Sequence, residues 1–190
     1  MAEIAISHLD FATRRRKNHV QLRIYNPTEK QHGYSSVFTF IEMVNDDMPF
    51  LVDSVSAAIG RHGLAVHITV HPIIRVQRDR SGRVVSVAEP GQAEGHPESF
   101  IRFAVDRETD PRELKLLEQE IRKVLADVRV AVRDWKKMRR KMIETRDLLK
   151  FGPPGVDEDL RSESQALLDW FVADHFTFLG YREYELSGSG

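Results

Sequence analysis

The sequence predicts an α+β sandwich: a four-stranded antiparallel sheet with helices on one face, plus a long projecting helix. Three observations predict it. Strand-like segments of period-two alternation come in two pairs, a segment of helical period separates the pairs, and a much longer helical pattern follows the second. Composition agrees: 190 residues, 41% hydrophobic and 30% charged, suffice for one good core or one core plus part of a second.

Residues 1–18 form an N-terminal extension whose weak apolar pattern (Ile4, Ile6, Leu9, Phe11) suits a short, frayed helix. The basic run Arg14–Lys17 that ends it reads as solvated surface. Two strands follow. VQLRIYN sets Gln21 and Arg23 outward against Val20, Leu22 and Ile24, and YSSVFTFIEMVN sets Val37, Thr39, Ile41 and Met43 opposite Phe38, Phe40, Glu42 and Val44. Asn26, Pro27 and Gly33 punctuate the loop between them, which indicates an antiparallel hairpin.

A helix then runs from Pro49 to about His62, with Leu51, Val55, Ala58 and Ile59 on one stripe and Gly63 as its left-handed stop. LAVHITVHPIIRVQR reads as one long third strand and SFIRFAVDR as a fourth, with Phe100, Arg102 and Ala104 alternating against Ile101, Phe103 and Val105. The Gly- and Pro-rich loop between them contains VVSV, which has the composition to extend the hairpin. From Asp110 the period changes. Asp110 caps, Pro111 opens the helix, and Leu114, Leu117, Ile121, Val124, Val128, Ala131, Trp135, Met138 and Met142 recur at intervals of three and four. That is a helix of about 35 residues, near 50 Å long, whose second half should project beyond the sheet. The competing reading breaks it at DVRVAVRDW, where Val128, Val130 and Val132 also alternate with period two.

FGPPG is the strongest stop in the chain. The resulting organisation is an extension (1–18), a sheet domain carrying the long helix (19–150), a linker (151–156) and the truncated start of a next domain (157–190). In that last piece Ser162 and Gln165 have capping-box spacing before ALLDWFVADHF, and FTFLGYREYEL reads as a strand. From its second strand on, the domain reads βαββα, one strand short of the split βαβ ferredoxin-like sandwich. Residues 19–26, paired with 34–45, would occupy the edge where the final strand normally lies.

Net charge is −1 and there are no cysteines. The charge balance implies neither nucleic acid nor a membrane surface as partner; the missing thiols exclude disulfides, thiolate metal sites and a cysteine nucleophile, and with no secretory leader pattern the cytoplasm is the simplest compartment. His67 and His71 share one strand face but stand more than roughly 10 Å apart, too far for one metal ion. The basic run Lys136–Lys141 suits a solvated face or an acidic partner. The two adjacent carboxylates in VNDDMPFLVDSV lack the His, Lys or Ser neighbours of an acid–base pair; capping of the following helix competes with ligand contact through its free N-terminal amides.

VNDDMPFLVDSV resembles the strand-to-helix turn of ACT domains, the amino-acid-sensing modules of metabolic enzymes. Together with RHGL, HITVHPIIRVQRD, ESFIRFAVDR, VLADVRVAVRDWKKM and DWFVADHFTFLGYREYEL, it is similar to the N-terminal region of the large bacterial NAD-specific glutamate dehydrogenases. The resemblance spans roughly Val20 to Leu186. It implies an ACT-like, non-catalytic regulatory and assembly module, with NAD binding and glutamate deamination to 2-oxoglutarate and ammonia carried by downstream domains. The partners it implies are those domains, further copies in a homo-oligomer and an amino-acid effector; this segment itself would hold no cofactor or metal. The effector site would comprise Asn45, Asp46, Asp47, Met48, Phe50 and Leu51, with helix amides meeting a carboxylate and aspartates meeting an ammonium. Phe50 departs from the pattern: many effector-binding ACT domains have glycine there, and the phenylalanine either turns into the core or fills the ligand's space. The alternative is a freestanding amino-acid-binding protein whose reading frame ends near Gly190.

Overall fold

The structure, a computed structural model, describes residues 2–89, 91–151 and 157–184. It comprises two compact units, Met1–Val128 and Arg129–Gly190.

The first unit is built on an antiparallel sheet of β1 (Gln21–Tyr25), β2 (Thr39–Asp46), β3 (Val66–Val70), β4 (Ile73–Arg78), β5 (Val84–Val87) and β6 (His96–Val105). Their order is β1-β2-β6-β4-β5, with β3 also on β6. β1 pairs with β2, Gln21 opposite Val44 and Tyr25 opposite Phe40. It therefore takes the edge expected for the missing strand of the sandwich. A short helix, α2 (Glu29–His32), lies in the connection between them.

The sheet has six strands where the sequence suggests four. The long third strand is two, because Pro72 has no N–H to continue a ladder. β3 and β4 follow one another along the same side of β6, Val70 opposite Arg102 and Ile73 opposite Ser99, while the Pro72 carbonyl accepts from Phe100 N–H at 3.0 Å. VVSV forms β5 outside β4.

Period-two alternation gives the sheet two different faces. On one, Ile41, Met43, Ile101 and Phe103 are fully buried. They form a core with the stripe of α3 (Leu51–Arg61), namely Leu51, Val55, Ala58 and Ile59, and with Leu117, Ile121 and Leu125 from the start of α4 (Pro111–Leu149). Each such side chain contributes about 1.5–3 kcal/mol by leaving water. Gly63 sits at φ +74°, the expected left-handed stop. Asp110 caps α4 as expected, its Oδ1 accepting from Arg112 N–H at 2.8 Å. Val128 continues the buried stripe of α4, so helical period prevails over the local two-residue alternation and no strand forms there.

The other face is covered too, which corrects the expectation of helices on one side only. Helix α1 (Ala2–Ala12) places Phe11 and Ala12 against Val44, Val76 and Phe100. A helix this weakly patterned docks through its C-terminal end, where few residues carry the signal.

In the second unit, α5 (Glu158–Trp170) begins earlier than the Ser162–Gln165 spacing suggests. Asp157 is the cap, its Oδ1 accepting from Asp159 N–H at 2.8 Å and Leu160 N–H at 3.2 Å. A π turn (Phe171–His175) follows, and Arg139 donates to the Val172 carbonyl at 2.9 Å. Lys137, Arg139 and Lys141 of the basic run find intramolecular carboxylates on Asp134, Asp174, Glu144 and Glu183. Residues 176–184 form no strand. A strand needs an edge to pair with, and among the described residues this unit contains none. The linker residues 152–156 and the tail 185–190 lie outside the described residues.

Candidate functional site

The turn from β2 into α3 carries every residue of the expected effector site, and the structure sends them in different directions. Asn45 is 1% exposed and Leu51 is buried in the core. Asp46 turns to the α1 face, where Arg15 Nη2 reaches its Oδ1 at 2.7 Å. Asp47 turns the other way; its Oδ1 accepts from Ser99 Oγ at 2.7 Å and its N–H bonds the Pro97 carbonyl at 3.1 Å. Neither carboxylate caps α3, contrary to the capping reading. The cap residue is Phe50, which supplies no side-chain hydrogen bond and sits at φ +70°. It thus holds the left-handed conformation glycine would adopt, and the residue is 44% exposed rather than buried in the core. Met48 is half-buried beside it.

Asp47, Ser99 and His71 form a chain, with His71 Nε2 at 3.0 Å from Ser99 Oγ. The chemistry of a nucleophile is absent from it. Ser99 directs its one proton to Asp47, so the imidazole must donate to the hydroxyl and cannot act as its base, and Ser99 is fully buried. The trio instead straps the turn to β6. His67 goes elsewhere, to Asp106 Oδ1 at 2.7 Å; that bond, with another from Ala65 N–H, holds the Asp106 carboxyl below the usual range. The two histidines therefore serve separate partners.

Two charge clusters that sequence patterning does not single out lie under α1 and the segment after it. In the first, Glu98, 2% exposed, is gripped twice. Arg15 approaches through Nη2 (2.7 Å) and Nε (3.3 Å), and Arg78 through Nε and Nη2 (2.8 Å each). Burial alone would push the Glu98 carboxyl up; the hydrogen bonds and charges of Arg78 and Arg15 hold it below its ordinary value. Arg15 is only 4% exposed, which corrects the solvated reading of the Arg14–Lys17 run for this member. In the second cluster Arg23, Glu42 and Arg102 stand in register across β1, β2 and β6. Arg23 Nε reaches Glu42 at 2.7 Å, Arg102 Nη1 at 3.3 Å and Tyr25 Oη at 3.1 Å. Arg23, assigned outward by alternation, is thus half-buried, its guanidinium 4.5 Å from the Phe11 ring centroid. The available signal was a lone charge inside each apolar run, Glu42 in FTFIEMV and Arg102 in FIRFAV.

With this geometry established, comparison with known proteins identifies the architecture. Residues 1–121 match the family described as glutamate dehydrogenase, ACT1 domain. The chain belongs to that family. The match takes in α1 and the Arg15 segment together with the sheet, in keeping with their packing against it. The NAD-specific glutamate dehydrogenase of Halomonas elongata is 39% identical over 171 residues, 87% of this chain and 10% of that protein. The enzyme of the same name from Pseudomonas aeruginosa is 33% identical over 169 residues, 88% of this chain and 10% of that protein. The chain therefore spans about a tenth of the length of the curated relatives it matches. It is similar to one module of these proteins.

Proposed function

We propose that this chain acts as a regulatory and assembly module of an NAD-specific glutamate dehydrogenase, the oxidation of glutamate to 2-oxoglutarate and ammonia being carried by segments outside the matched tenth. The observation supporting it is the ACT1 family match over residues 1–121, combined with two relatives bearing that enzyme name. In this reading NAD binds elsewhere in the enzyme, and the other domains of the same chain, with further copies in an oligomer, are the partners. The cytoplasm is the proposed compartment. The test compares the full-length enzyme with a version lacking residues 1–150, by sedimentation and by glutamate-dependent NAD reduction. Deletion should alter assembly or the response to effectors, and the 190-residue chain alone should reduce no NAD. Turnover by the chain alone would overturn the proposal.

Assembly is the better supported role, because Asp46 and Asp47 already serve Arg15 and Ser99 and are poorly placed to receive an ammonium. Amino-acid sensing at residues 45–51 is the second reading, supported by the lack of a side-chain cap at the start of α3, whose first amides remain suited to a carboxylate. Met48 and Phe50 would then flank the ligand. Titration calorimetry against the amino acids at millimolar concentration tests it, and no heat from any of them would exclude that role.

A further inference from the structure

We infer that the arginine-lined cleft between the segment after α1 and the β4–β5 turn binds a polyphosphate group, either free pyrophosphate or the tail of a nucleotide. The cleft, of about 580 Å³, is lined by Arg14, Arg16, Arg80 and Ser81. Arg15, between two of these, turns inward to Glu98, so Arg14 and Arg16 are left on the solvent side. Arg14 and Arg83 are antiparallel bridge partners, which places two like charges directly opposite, an arrangement that costs stability in the absence of a counter-charge.

The nearby carboxylate does not neutralise them. Asp79 Oδ1 is committed to its own turn, accepting from Ser81 N–H (2.8 Å), Ser81 Oγ (2.7 Å) and Arg83 N–H (3.0 Å). Those bonds, with a smaller contribution from the Arg14 charge, hold its carboxyl below the usual range. Among the described residues, no carboxylate lies within ion-pair distance of Arg14, Arg16, Arg80 or Arg83, whereas Arg15, Arg23, Arg61, Arg78, Arg122 and Arg146 all have one. The three arginines that line the cleft, and Arg83 opposite Arg14, thus have no carboxylate paired to them among the described residues.

The cleft is also held rigidly. Arg15 N–H bonds the Gly82 carbonyl at 2.9 Å and Val84 N–H bonds the Thr13 carbonyl at 3.0 Å. Gly82, at φ +85°, permits an approach so close that a Cβ there would lie 2.3 Å from the Arg15 carbonyl oxygen. Three arginines set around one cleft on a fixed backbone suit an anion with several oxygens and more than one charge, which phosphate chains supply and a single carboxylate does not.

The test is calorimetric titration of the 190-residue chain with inorganic pyrophosphate and, separately, ADP, at constant ionic strength. Saturable binding is expected, weakened at least tenfold in the Arg14→Gln/Arg80→Gln double variant and unchanged in Arg112→Gln. Stronger binding of ADP than of pyrophosphate assigns the nucleotide as source; equal binding assigns the free anion. No saturable binding, an equal loss in Arg112→Gln, equal binding of a tricarboxylate, or preference for a single-stranded oligonucleotide over both probes would each overturn the proposal. Far-UV circular dichroism confirms that the double variant is folded; should it not be, the single variant Arg80→Gln is titrated instead, and pyrophosphate binding as tight as in the unaltered chain refutes the proposal.

Discussion

Replacing Glu98 by glutamine should destabilise the first unit by about 3 kcal/mol, the lower end of the range for stranding a buried charge. Glu98 is 2% exposed and receives four hydrogen bonds from Arg15 and Arg78. Both arginine side chains are themselves nearly enclosed, at 3% and 9% exposed. Glutamine keeps the shape and one acceptor but removes the charge, and only Asp46 remains to balance Arg15. Asp46 supplies the internal contrast: at 30% exposed it is partly screened by water, so Asp46→Asn should cost at most about 1 kcal/mol. Urea unfolding at pH 7 reads both. Far-UV circular dichroism is the appropriate signal, since both tryptophans, Trp135 and Trp170, belong to the second unit. A loss below about 1 kcal/mol in Glu98→Gln, or equal losses in the two variants, would refute the reasoning that burial sets the magnitude.

The pH dependence of that difference has a definite sign: Glu98 is depressed from an ordinary value of 4.5, so its stabilisation is complete above that pH and is lost as pH falls through the lower folded value. The gap between wild type and Glu98→Gln, measured by urea midpoint, should therefore close on acidification below about pH 4.5. His8 acts at higher pH. Burial first, with Arg102 and Arg23 reinforcing and Glu42 opposing, pushes its imidazole below 6.5; stability should fall as pH drops from 7.5 to 5, and His8→Leu should flatten that slope. Gly82→Ala should cost more than about 2 kcal/mol, because the new methyl meets backbone rather than a movable side chain and φ is positive; a neutral thermal melt would contradict the close approach. At Phe50, asparagine should be tolerated within about 1 kcal/mol while valine should cost about 1–2 kcal/mol, because a β-branched side chain resists the left-handed conformation; equal melting temperatures would place Phe50 outside that region.

The architecture was legible because its main signals are periodic. Strand alternation marked Ile41 and Met43 against Phe40 and Val44, and the register then found in the sheet pairs Ile41 with Phe103 and Glu42 with Arg102. The place of β1 followed from counting strands against the sandwich. What could not be read was which of two alternating faces meets water. Arg23, Glu42 and Arg102 share a face with Val44 and Phe100, and polarity alone says that such a face is outside. It is inside because α1 covers it, and α1 docks chiefly through Phe11 and Ala12, too few residues to make a period. The same limit hid the effector turn's real commitments. A pair of aspartates before a helix is locally a cap, but Arg15 lies 31 residues before Asp46 and Ser99 lies 52 residues after Asp47, separations over which no local pattern operates. Once those partners are in place, the turn's two carboxylates brace the segment after α1 and β6, which leaves the first amides of α3 with Met48 and Phe50 as what a ligand could still meet. The module's polar chemistry therefore serves first to hold its N-terminal segment on the sheet.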